Sequence, residues 1–468
     1  MIEASLSQIS EAVDGTIIGG DFPFTGVSID TRTIEVNNIY CAIVGEKFDG
    51  HNFIEEALVK GAAAVIVSND IIVDVPMIKV ADTTKALAKL AKWWLEKCNT
   101  KVVAITGSVG KTTVKNLTNS IFNYSSISYL SSAKNYNNEY GLPLTIFKLE
   151  PKHEYIILEM GAAKKDDIRY LCNIAKPYIS VITAIAPMHI ERFGSLKNIV
   201  VTKAQIYSDA LPSGVAVFNS NEKNYKYFQD VAVAGNSITY GEVGSDVRAE
   251  KVVNAAYGLD FVLHTPLGSR KIELPLLGMH NVANALAATS IAVAACISLD
   301  AIEQGLCKSK AVAGRLEVES IDGCRIINDT YNAGPASVNA AIDVLSQFDT
   351  RKILVLGDML ELGKSEKSIH VEIGEYARNK GIDYLFSIGK HASYTLKGYG
   401  LKNSKEFLNK DSLVRELFEL ISSDKIKTTV LVKGSRGAKM EDIVSKLKEN
   451  LKLHKKELSN SKTEKEDV

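Results

Sequence analysis

Short, nearly continuous apolar runs recur along the chain, separated by longer stretches in which apolar positions return every three or four residues. Within residues 1–97 the runs are GVSID, IYCAIV and AAVIV, with helical patterns between them, the last over Thr83–Lys97. From 101 to about 310 come KVVAIT, YIILEM, ISVITAI and GVAVFN, again with intervening helical patterns. A third series follows: RIIND, KILVLGD, YLFSIG and TTVLVKG. Strand-like runs alternating with amphipathic helices predict parallel sheets with crossover helices. The polar step Cys98-Asn99-Thr100-Lys101 separates the first series from the second.

The pattern therefore predicts an α/β protein of three domains. These are a small N-terminal α/β unit over 1–98, a central parallel-sheet unit over 99–312 and a C-terminal Rossmann-like α/β unit over 313–452. A charged tail over 453–468 is expected to fray or be disordered. No internal repeat is evident.

Composition narrows the classes. A chain of 468 residues is too long for one core. Apolar residues make up 46% and charged ones 24%, a globular balance. Lys plus Arg and Asp plus Glu both number 55, so no overall field recruits nucleic acid or an anionic membrane surface. The cysteines at 41, 98, 172, 296, 307 and 324 have no metal-ligand spacing and read as small buried residues in a reducing compartment. The N-terminus has no basic region followed by an apolar run, and the apolar stretch Ala283–Leu299 is interrupted by Asn284, Thr289 and Ser290, which predicts a buried helix. A cytoplasmic protein is expected.

Candidate chemistry starts at AITGSVGKTT (104–113), an apolar strand entering a glycine turn and then a helix. Glycines let the backbone wrap an anion, and the amides at a helix start favour phosphate. Lys111 can reach outer phosphates and the Thr112 hydroxyl can hold Mg²⁺. The spacing is shorter than the common nucleotide loop, which places a glycine where this chain has Ile105. In open α/β sheets ligands gather at the carboxyl ends of strands. There YIILEM ends in Glu159-Met160-Gly161 and ISVITAI leads to Ala186-Pro187-Met188-His189, with Asn135-Tyr136-Asn137-Asn138-Glu139 nearby in sequence. A carboxylate and an imidazole at adjacent strand ends can bind a divalent metal; alternatively Glu159 caps a helix and His189 sits satisfied in a loop.

The string TGSVGKTT resembles the ATP loop of the Mur ligases, the amide-forming enzymes of peptidoglycan precursor synthesis. Further similar strings run in colinear order over about residues 25–445: SIDTR (28–32), GEKFDGHNF (45–53), NYNNEYGLPLT (135–145), EMGA (159–162), APMHIERFGS (187–195), LLGMHNVANALAA (276–288), AGRLE (313–317), NDTYNAGPAS (328–337), LGDMLELG (356–363) and KGSRGAKME (433–441). LGDMLELG and the FDGH segment are similar to the branch that adds the final dipeptide, and the DNPR string typical of the branch adding a diamino acid is missing.

The resemblance implies an ATP-dependent ligase that joins D-alanyl-D-alanine to UDP-N-acetylmuramoyl-tripeptide through an acyl phosphate. It implies no nucleic-acid or membrane partner, and a monomer. It assigns the ATP loop to Gly107, Ser108, Val109, Gly110, Lys111, Thr112 and Thr113, adenosine and phosphate contacts to Asn281, Arg315 and Asp329, and one Mg²⁺ to Thr112 and Glu159. His189 would bind a second Mg²⁺, and Lys203 aligns with a lysine carbamylated by CO₂, which exchanges a cation for an anionic oxygen ligand. Lys111, Glu159, His189 and Lys203 are thus the implied catalytic group. Ser28, Thr31, Arg32, Asp49 and His51 resemble the sugar-nucleotide end of the substrate site. Asn137, Asn138, Asn332, Asp358, Glu361, Lys433, Ser435 and Arg436 are the remaining peptide-binding candidates. Asn328, Gly334 and Gln205 depart from the family's usual residues without removing an implied ligand. The competing readings are a diamino-acid-adding Mur ligase, a folate polyglutamate ligase, and a nucleotide switch or kinase. A non-catalytic NAD-binding protein fits poorly, since a lysine follows the glycine turn and no GxGxxG occurs.

Overall fold

The computed structural model describes residues 1–466 apart from 46, 134, 189, 256 and 425, with the side chains of 364 and 457–466 also outside the description. His189, the implied ligand of a second Mg²⁺, therefore lies outside the described residues.

The apolar runs become the strands of three sheets. In the first, Val27–Ser28, Ile39–Cys41, Ala64–Val67 and Met77–Lys79 run parallel, and Thr16–Ile18 closes the edge antiparallel. The second sheet has nine strands. At its centre Lys101–Thr106 lies between Tyr155–Glu159 and Ile179–Ile182, all parallel. Every side chain of Tyr155–Glu159 and of Ile179–Ile182 is buried, as a strand covered on both faces requires. In the third sheet Cys324–Asp329, Thr428–Lys433, Arg351–Gly357, Tyr384–Ile388 and Ser404–Phe407 are parallel, with Glu317–Ile321 antiparallel at one edge. The molecule is thus the three-domain α/β architecture that the pattern predicts.

The hydrophobic clusters do not follow the three sheets one to one. The first sheet has a small core of its own around Tyr40, Ile54, Val65 and Val67. On its other face Ile9, Leu87, Leu90 and Trp94 join Leu142, Ile146, Phe147 and Leu158 of the second unit in one continuous cluster. Ile2 N donates to Phe147 O (2.6 Å) and Trp94 Nε1 to Leu149 O (3.3 Å), so the first two units share a core across the polar step at 98–101.

Two elements differ from the sequence expectation. The second sheet ends in an antiparallel meander, Val247–Ala255, Gly258–Thr265 and Gly268–Leu274, where crossover units were expected. Its signal is alternation: Leu259, Phe261 and Leu263 are buried, as are Ile272 and Leu274. The charged tail expected over 453–468 continues the last helix, which runs from Glu441 to Glu466. Its Lys- and Glu-rich composition is that of a good helix former, and Leu447 and Leu451 anchor its first half in the core. Of the cysteines, Cys296 is exposed and Cys307 half-buried, whereas the other four are buried. Among the described residues no helix is long and apolar enough to cross a membrane; the stretch from 283 lies in the helix His280–Ala294, most of it buried.

Candidate active site

Strand Lys101–Thr106 ends at a glycine turn, and the helix Lys111–Asn123 starts directly after it. Gly107 (φ +152°) and Gly110 (φ +87°) hold backbone that L side chains rarely adopt. A Cβ there would lie 2.0 Å from Thr183 Oγ1 and 2.6 Å from Asn284 Oδ1 respectively. Neighbouring strand ends fix the turn: Ser108 N donates to Ala184 O (2.7 Å), Ser108 Oγ to Ala186 O (2.9 Å) and Thr183 Oγ1 to Val109 O (2.5 Å). No side chain caps the helix start, so its amides remain available to an anion. Lys111 folds back over the turn, Nζ donating to Gly107 O (2.8 Å) and Ser108 O (3.4 Å). Burial pushes its ammonium below the usual lysine range, against the opposing pull of the Glu159 carboxylate.

Glu159 ends the adjacent strand and is buried. Thr112 Oγ1 donates to its Oε2 (2.8 Å) and Asn137 Nδ2 to its Oε1 (2.9 Å), and Lys115 Nζ stands 3.9 Å from Oε2. Glu159 thus caps no helix. A hydroxyl and a carboxylate side by side are the hard oxygen donors that Mg²⁺ prefers. With the uncapped helix start and a turn that admits no Cβ, the residues present fit a magnesium–nucleotide ligand.

The third unit closes over this surface. Arg315 Nη2 donates to Thr112 Oγ1 (3.1 Å), while its guanidinium stacks on Tyr331, 4.3 Å from the ring centre. Between the units lies a cleft of about 690 Å³. Its walls include Ser108–Thr113, Asn137, Glu159, Asn281, Arg315, Asp329, Asn332 and Lys433. Asn281 Nδ2 donates to Leu277 O (2.7 Å) and its Oδ1 accepts from Asn284 Nδ2 (2.8 Å), so this pair builds the wall as well as facing it. A smaller cavity of about 270 Å³ adjoins the cleft, lined by Met188, Asn332, Glu361, Ser435 and Arg436 among others.

Lys203, on the helix Leu196–Ser208, is 3% exposed. Burial, with Lys111 nearby, holds its amine well below the usual lysine range, against the opposing pull of the Asp167 carboxylate.

Other candidates lie elsewhere or are engaged. Asp358 lines neither cavity. It accepts from Lys390 N (2.8 Å) and His391 N (2.9 Å), tying its strand end to the start of a neighbouring helix. Lys433 is 2% exposed and bound to Asp329, and is no free cation for a ligand. Asn138 Oδ1 accepts from Gly141 N (2.9 Å) at a helix start. In the first unit Ser28, Thr31, Arg32, Asp49 and His51 line neither cavity. His51 is held by Asp49 (Nδ1 to Oδ1, 2.5 Å) and accepts from Ser68 N (3.0 Å), Thr31 donates to Glu56 (2.9 Å), and Arg32 pairs with Asp30 while its side chain stays largely exposed.

Sequence reasoning missed Lys115, Thr183 and Tyr331. Lys115 lies one helical turn beyond Lys111, and Thr183 directly follows the strand Ile179–Ile182, so both carried a positional signal.

Comparison with known proteins gives a consistent assignment along the chain. The Mur ligase middle domain matches residues 105–292, the Mur ligase glutamate ligase domain residues 314–455 and the Mur ligase family catalytic domain residues 23–94. The UDP-N-acetylmuramoyl-tripeptide–D-alanyl-D-alanine ligase of Escherichia coli (strain K12) is 36% identical over 455 residues, covering 96% of this chain and 99% of the relative. The crystal structure of MurF from Acinetobacter baumannii superposes with a TM-score of 0.91 at 32% identity, over 96% of this chain and 99% of that one. MurF ligase from Thermotoga maritima in complex with ADP gives 0.82 at 26% identity, over 92% and 98%.

Proposed function

The chain belongs to the Mur ligase family, and we propose that it is the ATP-dependent ligase joining D-alanyl-D-alanine to UDP-N-acetylmuramoyl-tripeptide, with release of ADP and phosphate. One observation carries the reading: Lys111, Thr112 and Glu159 from the second unit converge with Arg315 and Asp329 from the third on one cleft, in a chain similar along nearly its whole length to such ligases.

The chemistry follows from the substrates. A carboxylate is a poor acyl donor because its leaving group would be oxide. Transfer of the γ-phosphoryl group of ATP to the tripeptide's terminal carboxylate makes an acyl phosphate. The dipeptide amine then attacks the carbonyl carbon, a proton leaves the nitrogen, and the tetrahedral intermediate expels phosphate. Such transfers depend on positioning and charge neutralisation more than on covalent protein chemistry.

The glycine turn and the open helix start cradle the phosphates, and Lys111 trades its two carbonyl partners for phosphate oxygens. Thr112 and Glu159 would hold Mg²⁺, which would supply neutralisation of phosphate charge. Arg315 meets the phosphates from the third unit, and Asn281 and Asp329 bound the nucleoside end. His189 is assigned a second Mg²⁺ by resemblance alone.

Lys203 is carbamylated in this reading. Its lowered basicity keeps a fraction of the amine neutral, the form that takes up CO₂, and the carbamate so formed would carry a negative charge near the Lys111 ammonium. The first unit binds the UDP-sugar end and the small cavity receives the dipeptide. The reaction runs in the cytoplasm, where ATP is available.

The test measures phosphate release from ATP. Release should require the UDP-linked tripeptide and D-alanyl-D-alanine together; release with a hydroxyl acceptor, or with neither peptide, overturns the ligase. Lys203→Ala should abolish turnover at an unchanged melting temperature, and near-normal activity in that variant refutes carbamylation.

A further inference from the structure

Lys433 and Asp329 are register partners at the carboxyl ends of two adjacent parallel strands, so their side chains leave the sheet together. Lys433 Nζ donates to Asp329 Oδ2 (2.5 Å) and to Asn332 O (2.9 Å). The other Asp329 oxygen, Oδ1, accepts from Leu316 N (3.2 Å), the residue after Arg315. Two residues after Lys433, Ser435 Oγ donates to Ala333 O (3.2 Å) and accepts from Leu360 N (2.9 Å). A single hydrogen-bonded chain thus links the segment carrying Arg315, which touches Thr112 at the phosphate turn, to the loop 332–334 that lines both the cleft and the smaller cavity.

We propose that Lys433 is a positioning residue for ligation: its ammonium holds the nucleotide side of the third unit and the acceptor-side loop at a fixed separation, and it binds neither peptide itself. The inference rests on the functional reading above. Two observations separate it from a direct substrate contact. Lys433 is 2% exposed, and two of its three ammonium protons are already committed, to Asp329 and to the Asn332 carbonyl. A buried ion pair adds little net stability over apolar packing, which leaves fixing the register as its use. That use matters because amine and acyl phosphate must meet within about 3–3.5 Å, and a misplacement of about 1 Å costs about 10²-fold in rate.

The experiment compares wild type with Lys433→Met, Asp329→Asn and the double variant, in steady-state phosphate release with both peptides present and in thermal unfolding. Lys433→Met should lower kcat about 10²-fold and leave the KM for D-alanyl-D-alanine within about 3-fold. The single variant leaves a buried carboxylate unpaired and is expected to melt early. The double variant has no unpaired charge and keeps the test open if the single one fails to fold. Its kcat should match that of Asp329→Asn, because removing Lys433 after Asp329 is neutralised breaks a link already lost. A rise of more than about 10-fold in dipeptide KM at unchanged kcat identifies a direct substrate contact and overturns the proposal. So does a double variant in which the two losses multiply, or a Lys433→Met enzyme that differs from wild type only in melting temperature. If wild type itself fails to join the two peptides, the functional reading falls, and the positioning role falls with it.

Discussion

Two loops occupy equivalent places in two sheets and use their polar groups in opposite ways. The turn 107–110 follows a central parallel strand of the second sheet, and the GDMLELG segment follows Arg351–Gly357 inside the third. At the first, the helix amides stay uncapped and Lys111 lies over the turn facing the cleft. At the second, Asp358 accepts two amides from the next strand's loop, Met359 N donates to His370 Nε2 (3.1 Å) and Leu360 N to Ser435 Oγ (2.9 Å). One loop presents its donors to a ligand, and the other gives most of them to its own domain. A strand's carboxyl end nominates a location; the direction of each side chain depends on which partners the fold brings to it.

The largest effect that can break this contrast is at Glu159. Glu159→Gln keeps the bond from Asn137 and removes the charge beside Thr112, and kcat for ligation should fall about 10³-fold, roughly 4 kcal/mol of barrier. Magnesium–ATP affinity, read by calorimetric titration, should fall with it. Next is a matched pair of glycines. Gly107→Ala meets Thr183 Oγ1 at 2.0 Å and should lower kcat/KM for ATP by about 10²-fold or more. Gly363→Ala, at φ +61° with nothing within 4 Å, should cost about 1–2 kcal/mol of stability and leave the KM for ATP unchanged. Equal kinetic losses in the two variants would erase the distinction between the loops.

Asp358→Asn tests the inward-facing loop directly. Turning one acceptor oxygen into a donor opposite a backbone amide should cost about 1–3 kcal/mol, read as a lower melting temperature, with the KM for D-alanyl-D-alanine unchanged. A raised KM at constant melting temperature would return Asp358 to the substrate site. The smallest effect is a pH slope. Burial holds the His370 imidazole below the ordinary 6.5, and its Nε2 accepts from Met359 only when unprotonated. The folded state therefore favours the neutral ring. Below pH 6.5 the unfolded chain takes up a proton that the folded one refuses, so stability is full above that value and declines as pH falls, by at most about 1.4 kcal/mol per unit. Melting temperatures between pH 7.5 and 5.5 should drop less steeply in His370→Gln than in wild type.

Legibility along the chain followed the range of the signal. Strands covered on both faces, the glycine turn and Glu159 at its strand end were readable because their signals are contiguous. The last two meander strands, Gly258–Thr265 and Gly268–Leu274, were also written in alternation, and an expectation of continued crossover units overrode it. Lys433 and Asp358 sit in strings as characteristic as the ATP loop, yet nothing local distinguishes a lysine that awaits a ligand from one already paired with Asp329 104 positions away. The shared core of the first two units was equally hidden, since the polar step at 98–101 looks like a boundary whether or not apolar faces meet behind it.

What the amino-acid order determined by itself is the α/β class, the succession of three units, the phosphate turn and, by resemblance, the reaction. Each of these is carried by short-range periodicity or by a contiguous motif. Only the tertiary structure decided which side chains meet. Arg315 reaches Thr112 across 203 positions, Lys433 turns inward to Asp329, and the cleft exists only where the second and third units face each other. The physical reason is that a buried polar group must find its partner wherever the chain returns, and that return is set by the packing of whole sheets.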